Sequence, residues 1–143
     1  MRSGRNRNRQ QRVRGARVLV FACAASAGAH AGLVPAHLDG EPRLGFAFLL
    51  AVVLLLICAA AVAIRPSDRR TTSVAGLVLG GLIAAYLLSR TTGIPGLDPE
   101  QEALDAVGAV TNIVEAIGVV VALWLIPSVD RPRSVASTTG GVS

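Results

Sequence analysis

One stretch of the sequence, residues 47–64, reads AFLLAVVLLLICAAAVAI and carries no charged side chain. An apolar run of about 20 residues is what a helix needs to cross the hydrocarbon core of a bilayer. The whole chain agrees with this reading, because 52% of its residues are hydrophobic and only 16% are charged. Such a composition lies outside the usual range of a soluble domain. The sequence therefore predicts an integral membrane protein in contact with the lipid bilayer.

Three other apolar segments accompany this one. The predicted spans are residues 18–38, 44–64, 74–94 and 106–126. At 1.5 Å per residue, each matches a hydrocarbon core of roughly 30 Å. We expect an all-α fold, a polytopic membrane protein with a four-transmembrane-helix bundle over residues 18–126. An Arg-rich cytoplasmic tail, 1–17, precedes it, and a cytoplasmic tail rich in Ser, Thr and Gly, 127–143, follows it and is predicted to be disordered.

The distribution of charge predicts an orientation. Half of the 14 basic residues lie before residue 18, and segments 65–70 and 127–133 are also net basic. Segments 39–43 and 98–105 are acidic. Because positively charged loops stay in the cytoplasm, both termini are predicted to be inside, in the cytoplasmic (inner) membrane of a bacterium. The concentration of Arg in one tail suits a membrane anchor and, with only 3% aromatic residues, argues against nucleic-acid binding.

The first apolar segment also has a second interpretation. A basic start, the short run VLVFACAASA and the small residues Ala27-Gly28-Ala29 resemble a secretory signal peptide with a cleavage site. The apolar run continues to Leu38, which a cleaved peptide does not need, so we favour retention. The mass of the mature protein distinguishes the two cases.

The fourth predicted span carries an acidic residue near its middle. Gly108, Thr111, Glu115 and Gly118 follow spacings that place them on one helical face, with Asn112 beside them. A charge at that depth costs roughly 3 kcal/mol to insert. We therefore expect the Glu115 side chain to face the bundle interior, either protonated or paired. A buried carboxyl in this position predicts a proton or cation site. Alternatively, it forms an interhelical hydrogen bond that holds the bundle together.

Two histidines and a glutamate recur near the outer end of the first span. His30 and His37 are seven residues apart, and Glu41 follows four residues later, which places all three on one stripe of a helix. Imidazole and carboxylate groups together predict a divalent-metal site or a response to pH. Alternatively, the histidines are hydrogen-bonded residues of the membrane interface. Pro35 is expected to kink or end the helix, which would disturb the stripe.

Arg90 lies at the outer end of the third span, where the charge bias disfavours it. Its predicted partners are Glu115, Glu41 or a lipid phosphate, and a side chain that simply extends to the interface is the alternative. With Thr111 and Glu115, Arg90 is assigned to an intramembrane polar pocket.

Small residues are frequent in the predicted spans. Gly28 with Gly32, and Gly76 with Gly80, predict close approach of helices, within one chain or in a homo-oligomer. Contact with a different membrane protein is a further alternative. Cys23 and Cys58 share no metal-ligand spacing and are interpreted as packing residues.

Motifs of common catalytic and nucleotide-binding sites are missing from the sequence. It contains no HExxH, CxxC or GxSxG and no phosphate-binding glycine loop. We therefore predict that the protein is not an enzyme, and we assign no cofactor. An intramembrane enzyme would lack a nucleophile and base at suitable spacing.

Several of these pieces occur together in one known group of proteins. They are His30, Pro35-Ala36-His37-Leu38 with Glu41, Ser89-Arg90-Thr91 and Glu115. On them the chain resembles small four-helix integral membrane proteins of high-GC bacteria, a family whose function is unassigned. The resemblance covers residues 18–126 and implies that the polar residues form one set.

The leading hypothesis joins these residues in one place. It proposes a polar pocket toward the outer face, formed by His30, His37, Glu41, Arg90 and Glu115, that binds or relays a proton or metal ion. The alternative is a non-catalytic membrane accessory or interaction protein in which the same residues are structural.

Overall fold

The computed structural model describes residues 2–93 and 106–126. It contains α1 (Arg2–Gly40), α2 (Pro42–Ile64), α3 (Arg69–Thr91) and α4 (Ala106–Leu125). All four helices are long and apolar enough to cross a membrane, and the described residues include no strand. The predicted fold class, an all-α membrane protein with four spanning helices, is confirmed.

The helices pack in a ring. Helix α1 packs against α2 and α4, and α3 packs against the same two helices, so that α2 and α4 lie on a diagonal. We call one end of the bundle the α1–α2 end; it holds Glu41, the end of α3 and the start of α4. The opposite end, called the α2–α3 end, holds residues 65–68 and the end of α4.

Local sequence explains where the helices begin and end. Glu41 alone separates α1 from α2, and Pro42 occupies the first turn of α2, where its missing N–H is not needed. Asp68 caps α3 by accepting from the Arg70 backbone N–H at 3.2 Å. Gly93 follows α3 with φ of 72°, a conformation that glycine adopts without strain. Helix α3 therefore ends at Thr91, before the predicted limit of 94, which lies outside the described residues.

Helix α1 is longer than the predicted first span. It runs without interruption from Arg2 through Pro35 to Gly40. The Arg-rich segment is thus a continuation of the same helix, and Pro35 does not end it. A helix in a membrane bundle tolerates the loss of the one backbone hydrogen bond that proline removes, because packed neighbours can satisfy the freed group. Its 39 residues give a length of about 58 Å, near twice the thickness of a hydrocarbon core.

The interior and the surface are both apolar. Leu19, Leu55, Val62 and Leu79 are fully buried, each 0% exposed. Large apolar side chains also cover the outside, and Leu77, for example, is 75% exposed. So much exposed apolar surface suits lipid as the surrounding solvent. The predicted disordered tail, 127–143, lies outside the described residues.

Glycines set the distance between some of the helices but not others. A Cβ on Gly118 of α4 would come within 2.5 Å of Leu79 Cδ1 and 3.0 Å of Ala22 Cβ, so the helices touch here. Gly76 approaches the Ala122 Cβ in the same way. A Cβ on Gly28 or Gly32 would meet no atom of the described chain within 4 Å. The predicted close approach at these two α1 glycines is therefore not made within the described chain.

Candidate functional site

Glu115 lies in the middle of α4 and is 1% exposed. The Ser26 hydroxyl of α1, also 1% exposed, donates a hydrogen bond to its Oε1 at 2.6 Å. An interhelical hydrogen bond was one of the two predictions for Glu115, but the sequence analysis did not name Ser26 as the partner. The signal was present, because Ser26 precedes His30 by four residues and extends the stripe of His30 and His37 one turn inward.

His30 lies next to Ser26, one helical turn further along α1. Its Nδ1 lies 2.9 Å from the Ser26 carbonyl oxygen and 3.5 Å from the Ser26 Oγ. The Ser26 hydroxyl proton is engaged by Glu115, and a carbonyl oxygen can only accept. Of the two neutral tautomers, the pattern of partners therefore favours the one with its hydrogen on Nδ1. The Nδ1–H then donates to the Ser26 carbonyl oxygen, with the Ser26 Oγ as a second and more distant acceptor at 3.5 Å, while the Oγ–H donates to Oε1.

His37 repeats this arrangement nearer the end of α1. Its Nδ1 lies 2.8 Å from the Leu33 carbonyl oxygen, four residues earlier. Both imidazoles contact the ring of Phe48 on α2, with centroids 5.6 Å apart for His30 and 4.7 Å for His37. The two rings are thus held by α1 backbone on one side and an aromatic face on the other.

A cavity of about 300 Å³ lies between the four helices in the half of the bundle nearer the α1–α2 end. Most of its wall is apolar, from residues such as Leu33, Leu44, Ala51 and Leu82. The polar residues of the wall are His30, His37, Tyr86, Ser89, Arg90, Thr111, Asn112 and Glu115. A largely apolar pocket with a few convergent polar groups is typical of a binding site for a small molecule.

Two polar atoms of this wall are buried and unbonded. The Tyr86 hydroxyl and the Asn112 Oδ1 have no hydrogen-bond partner in the described part of the chain. The Asn112 Nδ2 donates to the Gly108 carbonyl at 2.9 Å, so the amide oxygen is the atom left available. A buried polar atom without a partner costs about 1–3 kcal/mol. Both atoms would gain from a molecule that entered the cavity and bonded to them.

Arg90 reaches the same cavity from α3. Its guanidinium carbon lies 4.7 Å from the centre of the Tyr86 ring, a distance typical of a cation–π contact. Glu115, one of its predicted partners, lines the cavity but accepts from Ser26. Thr111 also lines it, and its hydroxyl donates to the Val107 carbonyl at 2.8 Å. The three residues of the predicted polar pocket therefore share one cavity.

Glu41 is the third residue of the predicted metal site, after the two histidines. It is exposed at the junction of α1 and α2 and does not line the cavity. Helix α1 ends at Gly40, and the Glu41 backbone N–H still donates to the His37 carbonyl at 2.8 Å. No group of three or more metal-binding side chains forms within residues 2–93 and 106–126. The cavity thus brings His30 and His37 together without Glu41, and the metal site at these three residues stays a prediction.

Comparison with known proteins adds no relative. No protein-family model, no curated protein and no solved structure matches the chain. The resemblance to small four-helix membrane proteins of high-GC bacteria therefore stays a prediction. The fold and the cavity define an integral membrane four-helix bundle with buried polar residues, and function has to be argued from those residues.

Proposed function

We propose that this protein is a non-enzymatic protein of a bacterial inner membrane that binds and relays a proton at Glu115, Ser26 and His30. The observation that carries the proposal is the Ser26 hydroxyl, 2.6 Å from the Glu115 Oε1 and 3.5 Å from the His30 Nδ1. A hydroxyl in this position accepts a proton from one neighbour while it donates its own to the other. As the His30 Nδ1 gives its proton to the Ser26 Oγ, the Nε2 of the same ring takes up another proton from the cavity that His30 lines. The imidazole and the hydroxyl are both restored, and the net result is one proton delivered to the Glu115 carboxylate.

The types of residue involved favour a proton over a metal ion. The Ser26 hydroxyl occupies one carboxylate oxygen, and backbone carbonyls engage the Nδ1 atoms of both histidines. A divalent ion in an oxygen and imidazole site takes several such ligands at once. A proton needs only one acceptor at a time, and imidazole exchanges protons near neutral pH.

The distribution of charge supports the orientation. The α2–α3 end exposes Arg65, Arg69 and Arg70. The α1–α2 end exposes Asp39, Glu41 and Arg43, whose net charge is negative. With the basic end in the cytoplasm, the cavity occupies the outer half of the membrane. Glu115 then receives protons from the outer side.

Infrared spectroscopy of the full chain in liposomes tests the proposal. We expect a carboxyl C=O band that titrates with pH, is lost in Glu115→Gln and changes frequency in Ser26→Ala, where its hydrogen bond is removed. Asp39→Asn, at an exposed carboxyl outside the cavity, is the matched control and should retain the band. A band that persists in Glu115→Gln, or a spectrum that pH leaves unchanged, would contradict the proposal.

A second function is favoured by a separate observation. The Ser26–Glu115 bond joins α1 to α4 beside the tight contact of Gly118 with Leu79. These contacts suit an accessory protein in which Glu115 only holds the bundle together. The amide oxygen of Glu115→Gln still accepts from Ser26, so a purely structural Glu115 predicts a fully functional variant. A proton site predicts the loss of any pH-dependent response at unchanged membrane levels.

A further inference from the structure

We infer that the cavity binds an organic ammonium ion with an apolar body, which takes the place of the proton on Glu115. This inference rests on the proposed proton site and adds the class of ligand. The cavity is larger than a proton requires, at about 300 Å³. That volume is at the lower end of the range for small-molecule sites.

The acceptors of the cavity lie together on α4. Asn112 precedes Glu115 by three residues, so the two side chains share one face of the helix. The Asn112 Oδ1 is buried without a partner in the described chain, while its Nδ2 is engaged by Gly108. A carboxylate and an available amide oxygen side by side suit a cationic group, which brings positive charge or N–H donors.

The rest of the wall suits an apolar body with aromatic contacts. Leu33, Leu44 and Leu82 line the cavity together with the rings of Phe48 and Tyr86. Aromatic faces attract organic cations, and the attraction grows when water is excluded. A compact inorganic cation would gain nothing from such a wall and would lose its water shell there.

The other charged or titratable groups of the wall determine the orientation of the bound ammonium ion. They are His30 and His37 on α1 and Tyr86 and Arg90 on α3, whereas the lining residues of α2 carry no such group. Arg90 is one residue from the end of α3, whereas Glu115 is in the middle of α4. The ammonium group is therefore placed beside Glu115, away from Arg90, with the apolar body toward the α1–α2 end.

Binding and proton release are one step. The O–H bond of the Glu115 carboxyl breaks, its proton passes to water, and the ammonium ion becomes the counter-ion of the carboxylate. One positive charge enters as one leaves, so the net charge of the cavity is unchanged. Proton and ammonium ion compete for the same group, and each weakens the binding of the other by the same factor.

Isothermal titration of the full chain in detergent with 2-phenylethylammonium, whose N–H groups can donate to the Asn112 Oδ1, tests this inference. We expect binding at one site, tighter by about tenfold per pH unit while Glu115 holds the proton. In Glu115→Gln the affinity should fall at least about tenfold, the 1.4 kcal/mol of one lost charge contact. Asn112→Leu should weaken binding and leave the infrared carboxyl band in place. Asp39→Asn should bind as the wild type does.

Two further measurements distinguish exchange at Glu115 from titration of His37 and from an anion site. His37→Gln should retain the pH dependence; its loss would assign the titration to His37 and overturn the exchange with Glu115. Phenylpropionate, an anion of similar size, should not bind. If it binds and Arg90→Gln prevents this, the cavity is an anion site and the inference is wrong. Absence of 2-phenylethylammonium binding with a normal carboxyl titration would reject the ligand alone, whereas loss of both would also reject the proton site.

Discussion

The Ser26 Oγ lies 2.6 Å from the Glu115 Oε1, and this hydrogen bond joins the first and the last helix of the bundle. Both side chains are 1% exposed. In a membrane a polar group that turned outward would find no water, so each of these residues depends on the other. The bond therefore has two effects, since it stabilises the packing of α1 against α4 and fixes a carboxyl group beside the cavity.

Replacing Ser26→Ala should destabilise the protein by about 1–3 kcal/mol, because the buried Glu115 carboxyl loses its donor. Unfolding in mixed micelles, followed by circular dichroism, measures this change. Removing both polar groups in Ser26→Ala with Glu115→Leu should recover most of the loss, since no buried group is then left without a partner. A double variant as unstable as the single one would show that the hydrogen bond is not the cause.

Gly118→Ala should destabilise the bundle by about 1–3 kcal/mol through overpacking, because its Cβ would come within 2.5 Å of Leu79 Cδ1. Gly81→Ala on α3 is the matched control, since no atom of the described chain lies within 4 Å of that Cβ. There the substitution should stabilise the helix by about 0.5–1 kcal/mol. Midpoints of thermal unfolding in detergent compare the two, and equal effects would contradict the tight contact.

The two cysteines should be unreactive in the folded protein. Cys23 is 0% exposed and Cys58 is 5% exposed, and both thiols are free. A maleimide has to reach the sulfur, so we expect almost no labelling in mild detergent and full labelling after denaturation in dodecyl sulfate. Mass spectrometry counts the added groups. Rapid labelling of either thiol in the folded state would show that the core packs differently.

The hidden native thiols permit a test of orientation. Ser67 lies in the turn between α2 and α3, Asp39 lies near the end of α1, and both are exposed. With both termini in the cytoplasm, an impermeant maleimide added to intact cells should label Asp39→Cys and spare Ser67→Cys. Permeabilised cells should show labelling of both. The reverse pattern in intact cells would invert the predicted topology and place the cavity in the inner half of the membrane.

The spans were predictable because lipid imposes a simple rule of length and hydropathy. Residues 44–64 and the helix Pro42–Ile64 differ at only one end. The burial of Glu115 followed from the same physics, since a carboxyl at that depth has to avoid hydrocarbon. These features depend on the solvent around the chain and not on how particular side chains fit together.

The partner of Glu115 was not predicted because it depends on which helices adjoin and how they are rotated. Arg90 looked suitable by charge, yet Ser26 is the residue on the facing side of α1. Glu41 was grouped with the histidines by helical spacing, but only His30 and His37 line the cavity. Gly28 and Gly32 were expected to pack, but neighbouring helices in the described chain contact other faces of α1.

The two halves of the bundle differ in a way that bears on the speed of any transfer across the membrane. Beyond Glu115, toward the α2–α3 end, apolar side chains such as Leu79 fill the interior. Thr72, a buried polar residue of that half, already donates its hydroxyl to a backbone carbonyl. In the proposed relay, transfer between Ser26 and Glu115 would move only a hydrogen, whereas onward passage would have to cross the tight contact of α3 with α4 at Gly118. Helix displacements that open such a contact take microseconds to milliseconds. Vectorial turnover would therefore be gated by the backbone and would slow steeply on cooling or in stiffer lipid.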